Sequence, residues 1–254
     1  MNGKILYLGD TALDQAASYP TGLMTHYKID YDYIPSDVKF DESLFKNDYK
    51  AIIVSDYPAG NFLKSHLDAI AEKVKNGAGF LMIGGWESFE GRAGKYSGTV
   101  LADVLPVKMA DSDDRINCFS PCMVVRNCGH QITDALPFEA QSPAIGGLNS
   151  VKVKQGGTEV LSARKFRAEF QNGKFNFLEL QSFPLLVVGQ FGKGRTAAFA
   201  SDVSPHWVGP LVDWGCDRIT AKNNGGIEIE VGNWYAQLFV NMIRWVCKEQ
   251  EQKC

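Results

Sequence analysis

Two stretches of the sequence carry the residue types that could do chemistry, and each follows a run of apolar residues. The first is Gly-Gly-Trp-Glu-Ser at 84–88, and the second is Ser-Asp-Val-Ser-Pro-His-Trp at 201–207. A buried run that opens into glycine and polar residues is typical of a parallel strand whose carboxyl end meets a ligand-binding crevice. We therefore expect both stretches to lie on one rim, with Glu87, Asp202 and His206 as candidate catalytic residues.

Further acidic residues follow other predicted strands, namely Asp10, Asp56 and Asp213. Together with Glu87 and Asp202 they could converge at the carboxyl ends of their strands. Converging carboxylates can do general acid/base work or hold a hard metal ion. The alternative is that they are solvated loop residues, and the sequence alone leads us to assign no metal ligand and no cofactor.

A serine nucleophile is one hypothesis for the first stretch, with Ser88 activated by His206 and Asp202. The spacing of glycines around Ser88 does not match the Gly-x-Ser-x-Gly pattern of a nucleophile elbow. The alternative is that the Ser88 hydroxyl orders its loop through local hydrogen bonds. We favour the loop-ordering role.

The cysteines suggest free thiols. Cys118, Cys122, Cys128 and His130 are separated by four, six and two positions, which is not the paired spacing of structural zinc sites. The apolar run after Lys4 is too short for a secretory signal, and irregularly spaced cysteines in a chain without an export signal are typically reduced. We predict six reduced thiols, no zinc at this group, and a cytoplasmic location.

The elements that must position these residues alternate between strand and helix in the first half of the chain. Strands are predicted over 4–8, 29–34, 49–55 and 80–83, and a helix over 62–74 with Asn61 as its cap and a buried stripe of Leu63, Leu67, Ile70 and Val74. Such alternation indicates a parallel sheet with helices on both faces. Residues 80–83 should then be a central strand.

The second half of the chain predicts antiparallel additions to that sheet. Short strand patterns occur at 122–125, 150–153, 159–163, 175–180, 185–191 and 196–200, and a closing helix begins near Gly232. Residues 171–174, Gln-Asn-Gly-Lys, and 192–195, Gly-Lys-Gly-Arg, read as tight hairpin turns. We predict one flavodoxin-like, doubly wound α/β domain over residues 1–254.

The order of these pieces resembles the class I glutamine amidotransferase fold. In that family the fourth strand leads into a Gly-x-Cys-x-Gly elbow, whereas this chain has Gly84, Gly85 and Trp86 there and no cysteine. The closer resemblance is to the glutamine amidotransferase-like family that shares the fold. The similarity rests on the loop 84–89, Leu-Pro-Val at 105–107, Gly-His-Gln-Ile-Thr at 129–133 and the strands over 184–202.

This resemblance implies a member of the fold that does not hydrolyse glutamine. We expect a small polar ligand or a partner to bind after the fourth strand, with the contacting residues Gly84, Gly85, Trp86, Glu87, Ser88 and Trp207. The alternative is a cysteine-independent hydrolase that uses Glu87, His206 and Asp202, so the sequence leaves open whether the protein is an enzyme.

Composition narrows the range of partners. The chain has 26 basic and 29 acidic residues without a block of one sign, which argues against nucleic-acid binding. No apolar stretch approaches the roughly 20 residues that span a bilayer, so we expect no membrane insertion. Whether the chain forms homo-oligomers is left open.

Overall fold

The structure is a computed structural model that describes residues 3–249, with thirteen strands and five α-helices in that range. The strands are β1 Lys4–Gly9, β2 Tyr31–Ile34, β3 Tyr49–Ser55, β4 Gly79–Ile83, β5 Val107–Lys108, β6 Arg115–Arg126, β7 Ala144–Asn149, β8 Lys152–Val153, β9 Thr158–Gln171, β10 Lys174–Phe191, β11 Gly194–Phe199, β12 Arg218–Lys222 and β13 Glu228–Gly232. The helices are α1 Ser18–His26, α2 Lys64–Asn76, α3 Leu101–Val104, α4 Pro205–Val208 and α5 Asn233–Val246.

Nine of the strands form one sheet in the order β2-β1-β3-β4-β11-β10-β9-β6-β7. The strands from β2 to β11 run parallel, and those from β11 to β7 are antiparallel to their neighbours. The prediction of a mainly parallel α/β fold with antiparallel additions in the second half is confirmed. Parallel pairing places the carboxyl ends of β1, β3, β4 and β11 at one edge of the sheet.

Both faces of the parallel half are covered, which explains its uninterrupted apolar strands. Side chains alternate along each strand, so Ile53 and Leu81 join the core that includes α1 and α5, whereas Ile52 and Phe80 join the core beneath α2 and α3. All five residues of β4 are buried, and β4 lies between β3 and β11. The prediction that residues 80–83 form a central strand is confirmed.

Helix α2 buries most of the stripe predicted for it, including Leu67, Ile70 and Val74. Leu63 is a correction, because it precedes the helix in extended backbone and is 64% exposed. The cap also differs from our prediction: the backbone N–H of Leu63 donates to His66 Nδ1 at 3.2 Å. The Asn61 side chain instead donates to the carbonyl of Ser36 at 2.6 Å.

Three features were not predicted from the sequence. Helix α1 contains Pro20 and Gly22, and its apolar residues lack a helical stripe; the hairpin of β12 and β13 packs against it. Strand β10 is continuous through Pro184, where two strands over 175–180 and 185–191 were expected.

In residues 3–249 no helix is both long and apolar enough to cross a bilayer.

Candidate functional site

Three aspartates meet at the carboxyl edge of the parallel strands. Asp10 follows β1, Asp56 follows β3, and Asp202 lies three positions beyond the end of β11. Each offers a carboxylate oxygen, and these oxygens lie within 4.8 Å of one another. We call Asp10, Asp56 and Asp202 the acid cluster. Asp10 and Asp202 are buried, and Asp56 reaches solvent in part.

The backbone conformation at Asp10 and Asp56 directs their carboxylates toward the cluster. Asp10 and Asp56 have φ angles of 49° and 44°, in the left-handed region that aspartate tolerates better than most residues. The Tyr7 hydroxyl donates to Asp10 Oδ2, and the backbone N–H of Glu87 donates to Asp56 Oδ1 at 2.7 Å. The backbone N–H of Val203 donates to Asp202 Oδ1 at 2.6 Å.

The cluster concentrates negative charge where water is scarce. Burial, followed by repulsion from Asp202, raises the pKa of Asp10 to about 7. Burial and the two neighbouring carboxylates also raise the pKa of Asp56, and burial raises that of Asp202. Within the described chain none of the three forms a salt bridge. The three carboxylates therefore form no direct ion pair with a basic side chain of the described residues.

The stretch after β4 has no room for a nucleophile at Gly85. Gly85 has a φ of +154°, and a Cβ built there would lie 2.1 Å from Asp56 Oδ1. The residues after it form turns, and the next α-helix in residues 3–249 is α3, which begins at Leu101. A thiolate elbow needs a side chain at the turn and helical N–H groups directly behind it. Here Trp86 stands at the cysteine position of the Gly-x-Cys-x-Gly pattern, and no helix of the described residues follows it directly.

A buried amide network holds the turn in place. The backbone N–H of Gly85 donates to Asn149 Oδ1 at 2.9 Å, and Asn149 Nδ2 donates to Asp114 Oδ1 at 2.7 Å. Asp114 also accepts the backbone N–H groups of Glu90 and Gly91. Asn149 and Asp114 were not predicted as site residues, because they come from the antiparallel half and carry no recognisable motif.

Four side chains lie beside the acid cluster and form what we call the rim. They are Trp86, Glu87, Arg115 and His206. The Arg115 guanidinium lies 4.4 Å from the centre of the Trp86 ring, and the His206 ring lies 6.0 Å from that centre in a T-shaped arrangement. Asp113 holds Arg115 through two hydrogen bonds of 2.8 and 2.6 Å. The rim therefore presents an aromatic face between a fixed cation and an imidazole. Arg115 was not predicted from the sequence.

Ser88 and Trp207 lie inside the fold. The Ser88 hydroxyl is buried and accepts the backbone N–H of Asp56 at 2.9 Å, the loop-ordering role that we favoured. Trp207 is 1% exposed, and its Nε1 donates to Asn117 Oδ1 at 2.8 Å. Gly84 and Gly85 are buried as well, so Trp86 and Glu87 are the members of the predicted binding set whose side chains reach solvent.

The residues of the hydrolase hypothesis, Glu87, His206 and Asp202, lie close together, but no hydrogen bonds within the described chain join them into a proton relay. Both oxygens of Asp202 accept hydrogen bonds from Val203 or Ser204, and His206 is exposed and packs on Trp86. Asp213 lies apart from the cluster and forms an exposed ion pair with Arg218. A cavity of about 840 Å³ lies at the opposite edge of the sheet, beside Lys50 and Lys73.

The group of cysteines near His130 does not converge on one point. Cys118 and Cys122 place their sulfurs 3.3 Å apart, whereas Cys128 lies against the carbonyl of Glu159 and His130 packs on the Trp245 ring. The five cysteines within residues 3–249 are free thiols, and Cys254 lies outside the described residues. The absence of zinc stays a prediction.

Thiol reactivity should separate these cysteines. We expect Cys216, which is exposed, to react first with a thiol reagent at pH 8, and Cys122 and Cys247 to react only after denaturation. Burial raises the pKa of both these thiols to about 12, so at pH 8 only about one molecule in ten thousand carries the reactive thiolate. Mass spectrometry of the labelled peptides measures the order. Six titratable thiols are expected in denaturant, and fast labelling of Cys122 would contradict the prediction.

Comparison with known proteins points to one family. The sequence profile of a family described as putative glutamine amidotransferase matches residues 8–248. No curated protein is significantly similar to the chain. Two solved structures, the cytoplasmic proteins STM1381 from Salmonella typhimurium LT2 and STM3548 from Salmonella typhimurium, are 28% and 26% identical. Both superpose with a TM-score of 0.71 over 96% of this chain and 99% and 98% of theirs.

A more distant structure shares the fold. A ThuA-like protein from Bacteroides uniformis is 15% identical and superposes with a TM-score of 0.57, over 96% of this chain and 91% of its own. At this identity the likeness concerns the fold alone.

Proposed function

The chain belongs to the putative glutamine amidotransferase family, and from that premise we propose that it binds a small polar ligand at the acid cluster and does not hydrolyse glutamine. The observation that carries the proposal is the arrangement around Gly85. The Asp56 carboxylate occupies the space that a side chain at position 85 would need, and it lies with two further carboxylates under an aromatic rim.

The chemistry of the site defines the ligand only in part. Ionised carboxylates accept hydrogen bonds and do not donate them, so the floor of the site suits a ligand with donor groups or a bound cation. Trp86 is 37% exposed, and Arg115, whose charge is paired with Asp113, lies over its ring. A compact molecule with several polar groups and one apolar face would match these surfaces.

The test is a binding screen with matched variants. Glucose, glucosamine, lysine, citrate and glutamine are titrated against the protein by calorimetry, and ammonia release is measured with glutamine. We expect at least one compound to bind and no ammonia to be released. Trp86→Ala and Glu87→Gln should each weaken that binding at least tenfold, a loss of about 1.4 kcal/mol.

The control for the screen is Glu228→Gln, an exposed change on β13. Its affinity should equal that of the wild type, and all three variants should melt within a few degrees of it, because surface changes usually alter stability by about 0.5 kcal/mol or less. Unchanged affinity in both rim variants would refute the site, and ammonia release would refute the functional assignment.

The hydrolase remains the second candidate, because Glu87 and His206 lie on the same rim on either side of Trp86. A panel of ester, amide and glycoside substrates distinguishes it from simple binding. Turnover that is lost in both Glu87→Gln and His206→Ala would favour the hydrolase.

The names of the two Salmonella proteins support a cytoplasmic location.

A further inference from the structure

We propose that the acid cluster is the binding site of a divalent cation, through which the ligand is held; this inference rests on the proposed function and names its chemistry. Three carboxylate oxygens within 4.8 Å of one another could share one ion. Oxygens on opposite sides of an ion lie about 4.2 Å apart for Mg²⁺ and about 4.8 Å apart for Ca²⁺.

A second observation points to an occupant. Ser55, the last residue of β3, is fully buried, and its Oγ has no hydrogen-bond partner. Ser55 directly precedes Asp56, and its backbone carbonyl accepts the N–H of Asp10 at 2.9 Å, so the residue lies next to two members of the acid cluster. Buried hydroxyls without a partner are rare because desolvation costs them free energy. An ion or its bound water beside Asp10 would supply the missing partner.

The donor set indicates the kind of ion. The three cluster side chains offer only oxygen, and oxygen ligands suit Mg²⁺, Mn²⁺ and Ca²⁺ rather than softer metals. With two of the carboxylates buried, a cation would also neutralise charge that no salt bridge within the described residues neutralises. Asp56, the most exposed of the three, leaves the ion open to a ligand on the rim side.

A bound cation changes the ligand that the site would select. A metal ion prefers oxygen donors, so hydroxyl, carboxylate or phosphate groups would bind, and a ligand ammonium would be repelled. We therefore expect citrate or a similar polyhydroxy acid to bind only together with Mn²⁺ or Mg²⁺, and lysine not to bind in their presence.

The experiment measures Mn²⁺ alone, by electron paramagnetic resonance and thermal melting of EDTA-dialysed protein. We expect about one bound ion per chain and, at 1 mM Mn²⁺, a rise in the melting temperature of about 4 °C or more. Asp56→Asn and Asp202→Asn should each lose this shift, because asparagine keeps the oxygen that accepts the Glu87 or Val203 N–H but lacks the charge. Asp213→Asn, outside the cluster, should retain it.

The outcomes separate this inference from the proposed function. Absence of bound Mn²⁺, Mg²⁺ and Ca²⁺, or equal binding by both asparagine variants and the wild type, would overturn the cation site. If a ligand then still binds in a manner that depends on Trp86, the proposed function survives alone. If Mn²⁺ binds and no compound of the screen does, the cation site survives and the proposed ligand binding fails.

A different part of the chain carries a second inference, and it concerns the hairpin formed by residues 166–182. In the described chain β9 pairs with β6 only up to Arg164, and β10 pairs with β11 only from Leu186 onward. Between these limits β9 and β10 pair only with each other. We call residues 166–182 the arm. A two-stranded hairpin without further packing is marginally stable in water.

One face of the arm is aromatic. Cross-strand pairing places Phe166, Phe170, Phe175 and Phe177 on the same side, with ring centres 5.6 Å apart for Phe166 and Phe177 and 5.0 Å apart for Phe170 and Phe175. The last three are 64%, 65% and 67% exposed. At the base of this face lies an open groove of about 400 Å³. It is lined by four apolar and three charged residues, Met123, Val125, Phe166, Phe177, Arg164, Lys165 and Glu179.

We infer that this face is the contact between two copies of the chain. The end of each arm, at Phe170 and Phe175, would lie in the groove at the base of the other copy's arm. A two-fold arrangement brings the Phe170 and Phe175 rings of one copy to the groove of its partner. Joining two such faces would bury roughly 900 Å² of aromatic and aliphatic side chain, close to the about 1,000 Å² that a specific interface needs. Main chain and polar margins add to that area.

Charge permits this self-association. The charged residues at the groove are Arg164, Lys165 and Glu179; Arg164 pairs with Glu179 at 3.1 Å, and Lys165 lies over the Phe183 ring. The Phe170 and Phe175 rings that would enter the partner's groove carry no charge, so they place no like charge against Arg164 or Lys165. The other charged residues of the arm include Arg167 and Glu169, which point to the opposite face and pair with each other at 2.6 Å.

Sedimentation velocity from 1 to 100 µM tests the inference on the full chain. We expect the wild type to be dimeric and the double variant Phe175→Asp/Phe177→Asp to be monomeric with an unchanged circular dichroism spectrum. Asn176→Asp, which adds a charge to the opposite face of the same strand, should remain dimeric. A wild type that is monomeric at 100 µM, or a double variant that keeps the dimeric mass, would overturn it.

Discussion

Replacing Gly85 with cysteine should yield a protein that releases no ammonia from glutamine and is destabilised by about 2–4 kcal/mol. A Cβ at this position would lie 2.1 Å from Asp56 Oδ1, and the φ of +154° is one that side chains rarely adopt. Overpacking of this kind costs about 1–3 kcal/mol, and an unfavourable backbone conformation adds about 1 kcal/mol. Urea unfolding measures the stability, and coupled ammonia detection measures the activity.

The matched control is Gly98→Cys. Gly98 has no atom within 4 Å of a built Cβ and no positive φ, so its replacement should change the free energy of unfolding by about 0.5 kcal/mol or less. The thiolate environment explains the expected lack of activity, because no helix of the described chain begins behind residue 85 to lower the thiol pKa or to form an oxyanion hole. Glutaminase activity in Gly85→Cys, or equal stability of the two variants, would show that the turn can still form an elbow.

Replacing Trp207 with alanine should lower the free energy of unfolding by about 3–5 kcal/mol, the usual cost of removing a buried aromatic side chain. Trp207 is 1% exposed, and its ring packs so tightly on β7 that a Cβ at Gly147 would lie 2.4 Å from it. For a chain of this size the loss corresponds to a fall in melting temperature of roughly 6–20 °C. Trp207→Phe, which keeps a ring, should cost clearly less.

Trp86→Ala serves as the comparison for Trp207→Ala. Trp86 is 37% exposed and contacts Arg115 through its face, so its removal should cost about 1 kcal/mol or less while weakening ligand binding. The two variants therefore distinguish a structural role from a binding role. Trp207→Ala should lower the melting temperature, and Trp86→Ala should lower the ligand affinity. If Trp207→Ala melts like the wild type and loses ligand affinity, Trp207 belongs to the site as the sequence analysis expected.

The sequence was sufficient for the succession of strands in the first half of the chain and for the edge at which the aspartates meet. Strand patterns such as 80–83 are local, and parallel strands necessarily bring their carboxyl ends to one edge. For that reason Asp10, Asp56 and Asp202 were expected to converge, and they do. Asp213 was expected with them and lies elsewhere, because it follows a turn rather than a strand of the sheet. The extent of a single domain over 1–254 stays a prediction.

Only the tertiary structure decided which side chains face the site. Trp207 points inward because Gly147, distant in sequence, leaves room for its ring, and Arg115 reaches Trp86 because β6 belongs to the antiparallel half. The continuity of β10 through Pro184 also depends on long-range pairing with β9, and it is this continuity that extends the hairpin into the arm. Local sequence patterns report the period and burial of a segment, whereas the direction of a loop side chain depends on contacts between segments far apart in the chain.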